Sequence, residues 1–102
     1  MDIRQFQELM KTVFYKRDTE RGTMKTFAWL VEEVGELARE LRQVESGKVE
    51  RKVQLGQELG DVLAWLCSLA NLVDVDLEKV TLAKYPFACS KCGKSPCECE
   101  KV

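Results

Sequence analysis

Two segments of this chain share one design and lie close enough in sequence to pair. EEVGELAREL (residues 32–41) and QELGDVLAWL (residues 57–66) each set acids three residues apart within an apolar run. Around the first, Phe27, Leu30, Val31, Val34, Leu37, Ala38, Leu41 and Val44 recur at three- and four-residue spacing. Around the second, Leu55, Leu59, Val62, Leu66, Leu69 and Val73 do the same. That period belongs to helices, and no stretch alternates as a strand would. The pattern predicts an all-α fold whose centre is an antiparallel helical hairpin.

The remaining elements follow from caps and breaks. Asp2 can cap a first helix with Ile3, Phe6, Met10, Val13 and Phe14 on its apolar side. KRDTERGT, residues 16–23, is polar and contains Gly22, which predicts a loop. Thr23 is the expected cap of the second helix, which runs to about residue 45, and ESGK (residues 45–48) breaks the pattern. A third helix is expected over residues 49–73. Asp76 caps a short fourth helix that ends at Lys84, before Pro86. Two units result: a helical domain over residues 1–86 and a Cys-rich tail over residues 87–102.

Charge and composition exclude several functions. The net charge of -1 supplies no basic field to attract nucleic acid or a membrane surface. The apolar runs fall well short of the roughly 18 residues that a membrane span requires. MDIRQFQELM, the N-terminus, lacks the apolar centre of a secretion signal, so a cytoplasmic protein is expected. The chain has no His, which leaves carboxylates, Cys, Lys and Tyr for acid–base or metal chemistry.

Three facing pairs point to one hairpin register. In an antiparallel pair, facing residues share a constant sum of residue numbers. Glu33 with Asp61, Glu36 with Glu58, and Trp29 with Trp65 all satisfy the same sum, and its midpoint is Gly47, inside the expected turn. Residues three apart on a helix lie about 60° apart, so each acid pair shares a face beside the apolar stripe. Four carboxylates brought to one depth require a counter-ion. Oxygen-only ligands favour Mg²⁺ or Mn²⁺, and Mg²⁺ commonly shares its shell with substrate phosphates. With two tryptophans one turn away to stack on a base, a nucleotide is the expected ligand. A lone E-x-x-E is usually a solvated helix face; it is the matched pair of motifs that argues for a site.

The pattern resembles the all-α nucleoside triphosphate pyrophosphohydrolases, the MazG-like enzymes with their relatives the dCTP pyrophosphatases and dimeric dUTPases. Their mark is E-x-x-E, a spacer, then E-x-x-D. Here it reads Glu33-Val34-Gly35-Glu36 and Glu58-Leu59-Gly60-Asp61, with FAWLVEEVGELARELR and ELGDVLAWLCSLANLVDVDLEKV as matching flanks. The resemblance covers roughly residues 3–85. It implies that Glu33, Glu36, Glu58 and Asp61 bind Mg²⁺, and that one of them, for which Glu36 is the choice, helps to activate a water. It implies cleavage of a nucleoside triphosphate between the α and β phosphates to a monophosphate and pyrophosphate. It also implies assembly into a homodimer or homotetramer built as a four-helix-bundle-like oligomer. Lys84 matches a family lysine that contacts phosphate. The Asn expected four residues later is Ala88 here, and Tyr85-Pro86 follows Lys84 at once.

The tail departs from that family pattern. Cys89-x2-Cys92-x4-Cys97-x-Cys99 places four thiols within a short span. Without a secretion signal disulfides are not expected, and four thiolates suit tetrahedral Zn²⁺. A zinc knuckle is therefore expected, against free thiols or a redox pair. Cys67, at the edge of the third helical stripe, reads as a core residue. The competing function is a non-catalytic helical scaffold whose zinc knuckle recruits a partner.

Overall fold

The computed structural model describes residues 1–100. Four helices run in order: α1 (Ile3–Arg21), α2 (Thr23–Glu45), α3 (Lys52–Leu72) and α4 (Leu77–Lys84). A single 3-10 turn, Val49–Arg51, leads into α3. Among the described residues there is no strand, and the tail after α4 is irregular. Among the described residues, no helix is long and apolar enough to cross a membrane.

α2 and α3 form the expected hairpin, and α1 packs against α3. The chain reverses at Ser46–Gly47, and Gly47 takes φ 106°, a conformation glycine adopts without a side-chain penalty. A second clamp closes the base of the hairpin. Arg51 donates to both carboxylate oxygens of Glu40, with Nε at 2.9 Å from Oε2. Glu40 is 6% exposed and spent on this ion pair, outside the acid cluster.

α1 begins as expected. Asp2 accepts from the Gln5 backbone N–H at 2.8 Å, and Gln5 returns the bond to Asp2 in a capping box. The other end does not follow the expectation. Residues 16–21 remain helical, and Gly22 alone separates α1 from α2, at φ 90°. Polar composition had suggested a loop, but Lys, Arg and Glu are good helix formers and the break comes only where glycine permits it. Gly22 also occupies the cap position of α2, so Thr23 begins the helix rather than capping it. Asp76 caps α4 by accepting from the Lys79 N–H at 3.1 Å.

A buried amide lock fixes α1 to the far end of α3. The Gln7 side chain donates to Asn71 Oδ1 at 3.0 Å and to the Val75 carbonyl at 2.7 Å, and it accepts from the Leu77 N–H at 3.0 Å. Asn71 donates back to the Gln7 carbonyl at 3.1 Å. Every polar atom of the Gln7 side chain is thus satisfied in a setting that is 8% exposed.

The core of one chain is small. Met10, Leu30, Cys67 and Ala70 are its buried hydrophobic residues, and Cys67 is fully enclosed as expected. Much of the periodic stripe lies outside it. Phe27, Val31, Val34 and Leu41 on α2, Leu59, Leu63 and Leu66 on α3, and Val73 just beyond it are each 40% or more exposed. Such a stretch of apolar side chains is unusual on a lone soluble domain.

Candidate active site

The site is built where α2 and α3 face each other. Carboxylate oxygens of Glu33, Glu58 and Asp61 lie within 4.8 Å of one another and can hold a metal ion. Glu58 Oε2 is buried and has no hydrogen-bond partner. Such an orphan acceptor, surrounded by further acids, fits a site made for a cation rather than a solvated acidic face.

The electrostatics agree. The Glu33 carboxyl is pushed up from 4.5 to about 7, by burial first, then by hydrogen bonding and charge from Glu58, and by the charges of Asp61 and Glu36. Without a cation, a proton bound near neutrality relieves the repulsion.

Glu36 behaves differently from the expectation of four acids at one depth. It is exposed and outside the three-acid cluster, although close enough for its charge to act on Glu33. One helical step of three residues rotates the side chain by about 60°, which leaves Glu33 in the interhelical seam and carries Glu36 toward its edge.

Trp29 and Trp65 meet as the register required, edge to face, with ring centroids 5.5 Å apart and planes at 74°. Their surroundings were not legible in the sequence. The Arg21 guanidinium sits 4.9 Å from the Trp29 ring and 4.7 Å from the Trp65 ring. It donates to Asp18 Oδ1 at 2.9 Å and to Thr26 Oγ1 at 3.1 Å. Thr26, fully buried, donates in turn to the Gly22 carbonyl at 2.8 Å. The α1–α2 corner thus places a cation against both aromatic rings. The only signal in the sequence was a pair of opposite charges three apart, Asp18 and Arg21, in what read as a loop.

Beside the acids lies a cavity of about 260 Å³. Met10 and Phe14 of α1, Trp29 of α2, and Ala64 and Trp65 of α3 give it mainly apolar walls. Asp61 belongs to both the cavity and the acid cluster, so the two are continuous. Asp18 also lines it, with Oδ2 buried and unpartnered, a situation that costs a folded chain about 1–3 kcal/mol. Lys84 ends α4, exposed, with its ammonium 5.6 Å from the Tyr85 ring, and it is not among the residues lining this cavity.

The tail gathers a second cluster. Sulfur atoms of Cys89, Cys92, Cys97 and Cys99 all lie within 4.8 Å of one another and can hold a metal ion. Backbone N–H groups point at the sulfurs: Lys91 at Cys89 and Glu98 at Cys92, both at 3.4 Å, and Cys99 at Cys97, at 3.3 Å. Backbone hydrogen bonding lowers the Cys89 thiol to about 6, and hydrogen bonds from neighbouring thiols raise Cys99 to about 11.

Comparison with known proteins identifies the family. A family model for the MazG nucleotide pyrophosphohydrolase domain matches residues 21–92, which include Glu33, Glu36, Glu58 and Asp61 but not Cys97 or Cys99. The uncharacterised protein YvdC of Bacillus subtilis (strain 168) is 35% identical over 94 residues, covering 81% of this chain and 89% of that protein. No solved structure matches the chain. With the paired acid motifs, the helical hairpin that unites them and a family match over most of its length, the chain belongs to the MazG nucleotide pyrophosphohydrolase family.

Proposed function

We propose that this protein hydrolyses a nucleoside triphosphate between its α and β phosphates, releasing a nucleoside monophosphate and pyrophosphate. The observation that carries this reading is the convergence of Glu33, Glu58 and Asp61 around a buried, unpartnered carboxylate oxygen beside an aromatic-walled cavity. Glu33, Glu58 and Asp61 hold Mg²⁺ or Mn²⁺, with Glu36 at the rim as a fourth ligand. A hard cation bound there supplies charge neutralisation for the phosphates and lowers the pKa of a bound water.

The chain's own groups divide the remaining work. Glu36, exposed and flanking the cluster, takes the proton from the attacking water. Trp29 and Trp65, with Arg21 against them, shape the mouth through which the nucleotide enters. Lys84 reaches phosphate from the end of α4, a role that rests on its position in the sequence pattern. The exposed apolar stripes of α2 and α3 are covered by further copies, in a homodimer or homotetramer of bundled helices.

In the tail, the four cysteines hold Zn²⁺. A tetrahedron with Zn–S of 2.3 Å has sulfur–sulfur edges of about 3.8 Å, and Cys89 and Cys99 are 3.8 Å apart. Four protein ligands leave no open position, so the ion is structural, and the tail forms a small unit of its own after residue 86.

The test is pyrophosphate release from a panel of ribo- and deoxyribonucleoside triphosphates, with Mg²⁺ and then with EDTA. Metal-dependent release with a monophosphate co-product is the expected result. Silence across the panel in the presence of Mg²⁺ removes the reading and favours a binding scaffold.

A further inference from the structure

The hydrolysis leaves two charged groups of the cavity unused, Asp18 and Arg17, and of these Arg17 is exposed and only Asp18 is buried. It is 1% exposed, lines the cavity from the α1 side, and is fixed at Oδ1 by Arg21 while Oδ2 has no partner. Asp61, a member of the acid cluster, lines the same cavity from α3. A ligand that spans the two has its phosphates at the acids and a planar ring among Met10, Phe14 and Trp65, with the edge of the ring turned toward α1. With Oδ1 held by Arg21, Oδ2 is the acceptor left for that edge.

Resting on the nucleotide reading above, we propose that this cavity takes the nucleobase and that Asp18 selects bases carrying an exocyclic amino group: cytosine, adenine and guanine over uracil and thymine. A carboxylate oxygen only accepts hydrogen bonds. An amino group offers it a donor. The ring N–H of uracil or thymine lies between two carbonyl oxygens, and these repel a carboxylate that approaches it. A pocket that hydrogen-bonds a ligand group discriminates strongly against analogues that lack it, because its own polar atom is then left unpaired.

The experiment reads binding without turnover. Trp29 and Trp65 are the chain's two tryptophans and both border the cavity, so their fluorescence reports its occupancy. Nucleoside monophosphates are titrated in Mg²⁺: CMP, AMP, GMP, UMP, TMP, and the monophosphate of pyrimidin-2-one riboside, which is CMP without its amino group. The amino-bearing three are expected to bind about tenfold more tightly than UMP, TMP and the pyrimidinone nucleotide. Asp18→Asn is expected to reduce that preference to threefold or less with little change for UMP. The CMP and pyrimidinone comparison needs no variant, so it stands even if Asp18→Asn fails to fold. Binding of all six with equal affinity overturns the assignment of Asp18 and leaves the hydrolysis reading intact. A preference unchanged in Asp18→Asn also overturns it. Absence of binding by every monophosphate, together with no cleavage of any triphosphate, overturns both.

Discussion

Replacing Glu33 by Gln in the metal-free protein should flatten the dependence of its stability on pH. Glu33 binds a proton more tightly in the folded chain, at about 7, than at its ordinary 4.5. Its contribution to stability is therefore complete below about 4.5, falls as pH rises, and is gone above about 7. At face value the rise corresponds to about 3 kcal/mol. Asp61 is exposed and the cluster is open to solvent, so screening reduces the expected effect to about 1 kcal/mol. In a domain of this size that is roughly 4 °C in melting temperature. The assay is thermal unfolding followed by circular dichroism, in EDTA, at about pH 5 and about pH 8 and one protein concentration. The wild type should lose about 4 °C more than Glu33→Gln over that interval. Groups common to both proteins, including Cys89 with its thiol lowered to about 6, cancel in the difference. Saturating Mg²⁺ should restore the wild type at pH 8 and do less for the variant. Equal slopes for the two proteins would refute the argument that the acids crowd one another.

Other consequences follow from the same contacts. Asn71→Ala takes one bond from the buried Gln7 amide and one from the Gln7 backbone carbonyl, and should cost roughly 1–3 kcal/mol in chemical denaturation; an unchanged midpoint would show that the α1–α3 lock is not formed. Arg51→Ala strands the enclosed Glu40 carboxylate, which Arg51 holds below its ordinary range, so the variant should melt lower at neutral pH, and the gap should close as acid protonates Glu40. Intact-mass spectrometry under native conditions should find one Zn²⁺ per chain, lost in Cys97→Ser without loss of helical signal; retention of the ion in that variant would remove Cys97 from the ligand set.

The hairpin and its acids were legible because helical period and antiparallel pairing are local rules, and the Trp29–Trp65 contact confirms the register they gave. The fate of Glu36 was not, since a three-residue step turns the side chain by about 60° and interhelical tilt decides which acid of a pair stays in the seam. The Asp18–Arg21–Thr26 corner was hidden by its own polarity. A charged run reads as a loop until the fold buries it, and here burial comes from α1 closing over the end of the hairpin. The Glu40–Arg51 pair was not legible either, because Arg51 lies across a turn whose geometry the sequence does not state. Part of the apolar stripes of α2 and α3, Phe27, Val31, Val34, Leu59 and Leu66 among it, is exposed in one chain, because periodicity marks an apolar face and not what packs against it.

The most direct test of the central claim is product identity under control of the acid cluster. Wild type, Glu58→Gln and Asp61→Asn are given one hydrolysable triphosphate from the panel, with Mg²⁺, and the phosphate products are separated. The account predicts pyrophosphate and monophosphate from the wild type, and a loss of at least about a hundredfold in both variants with their helical content retained. Undiminished activity in either variant, or orthophosphate as the released product, would contradict it.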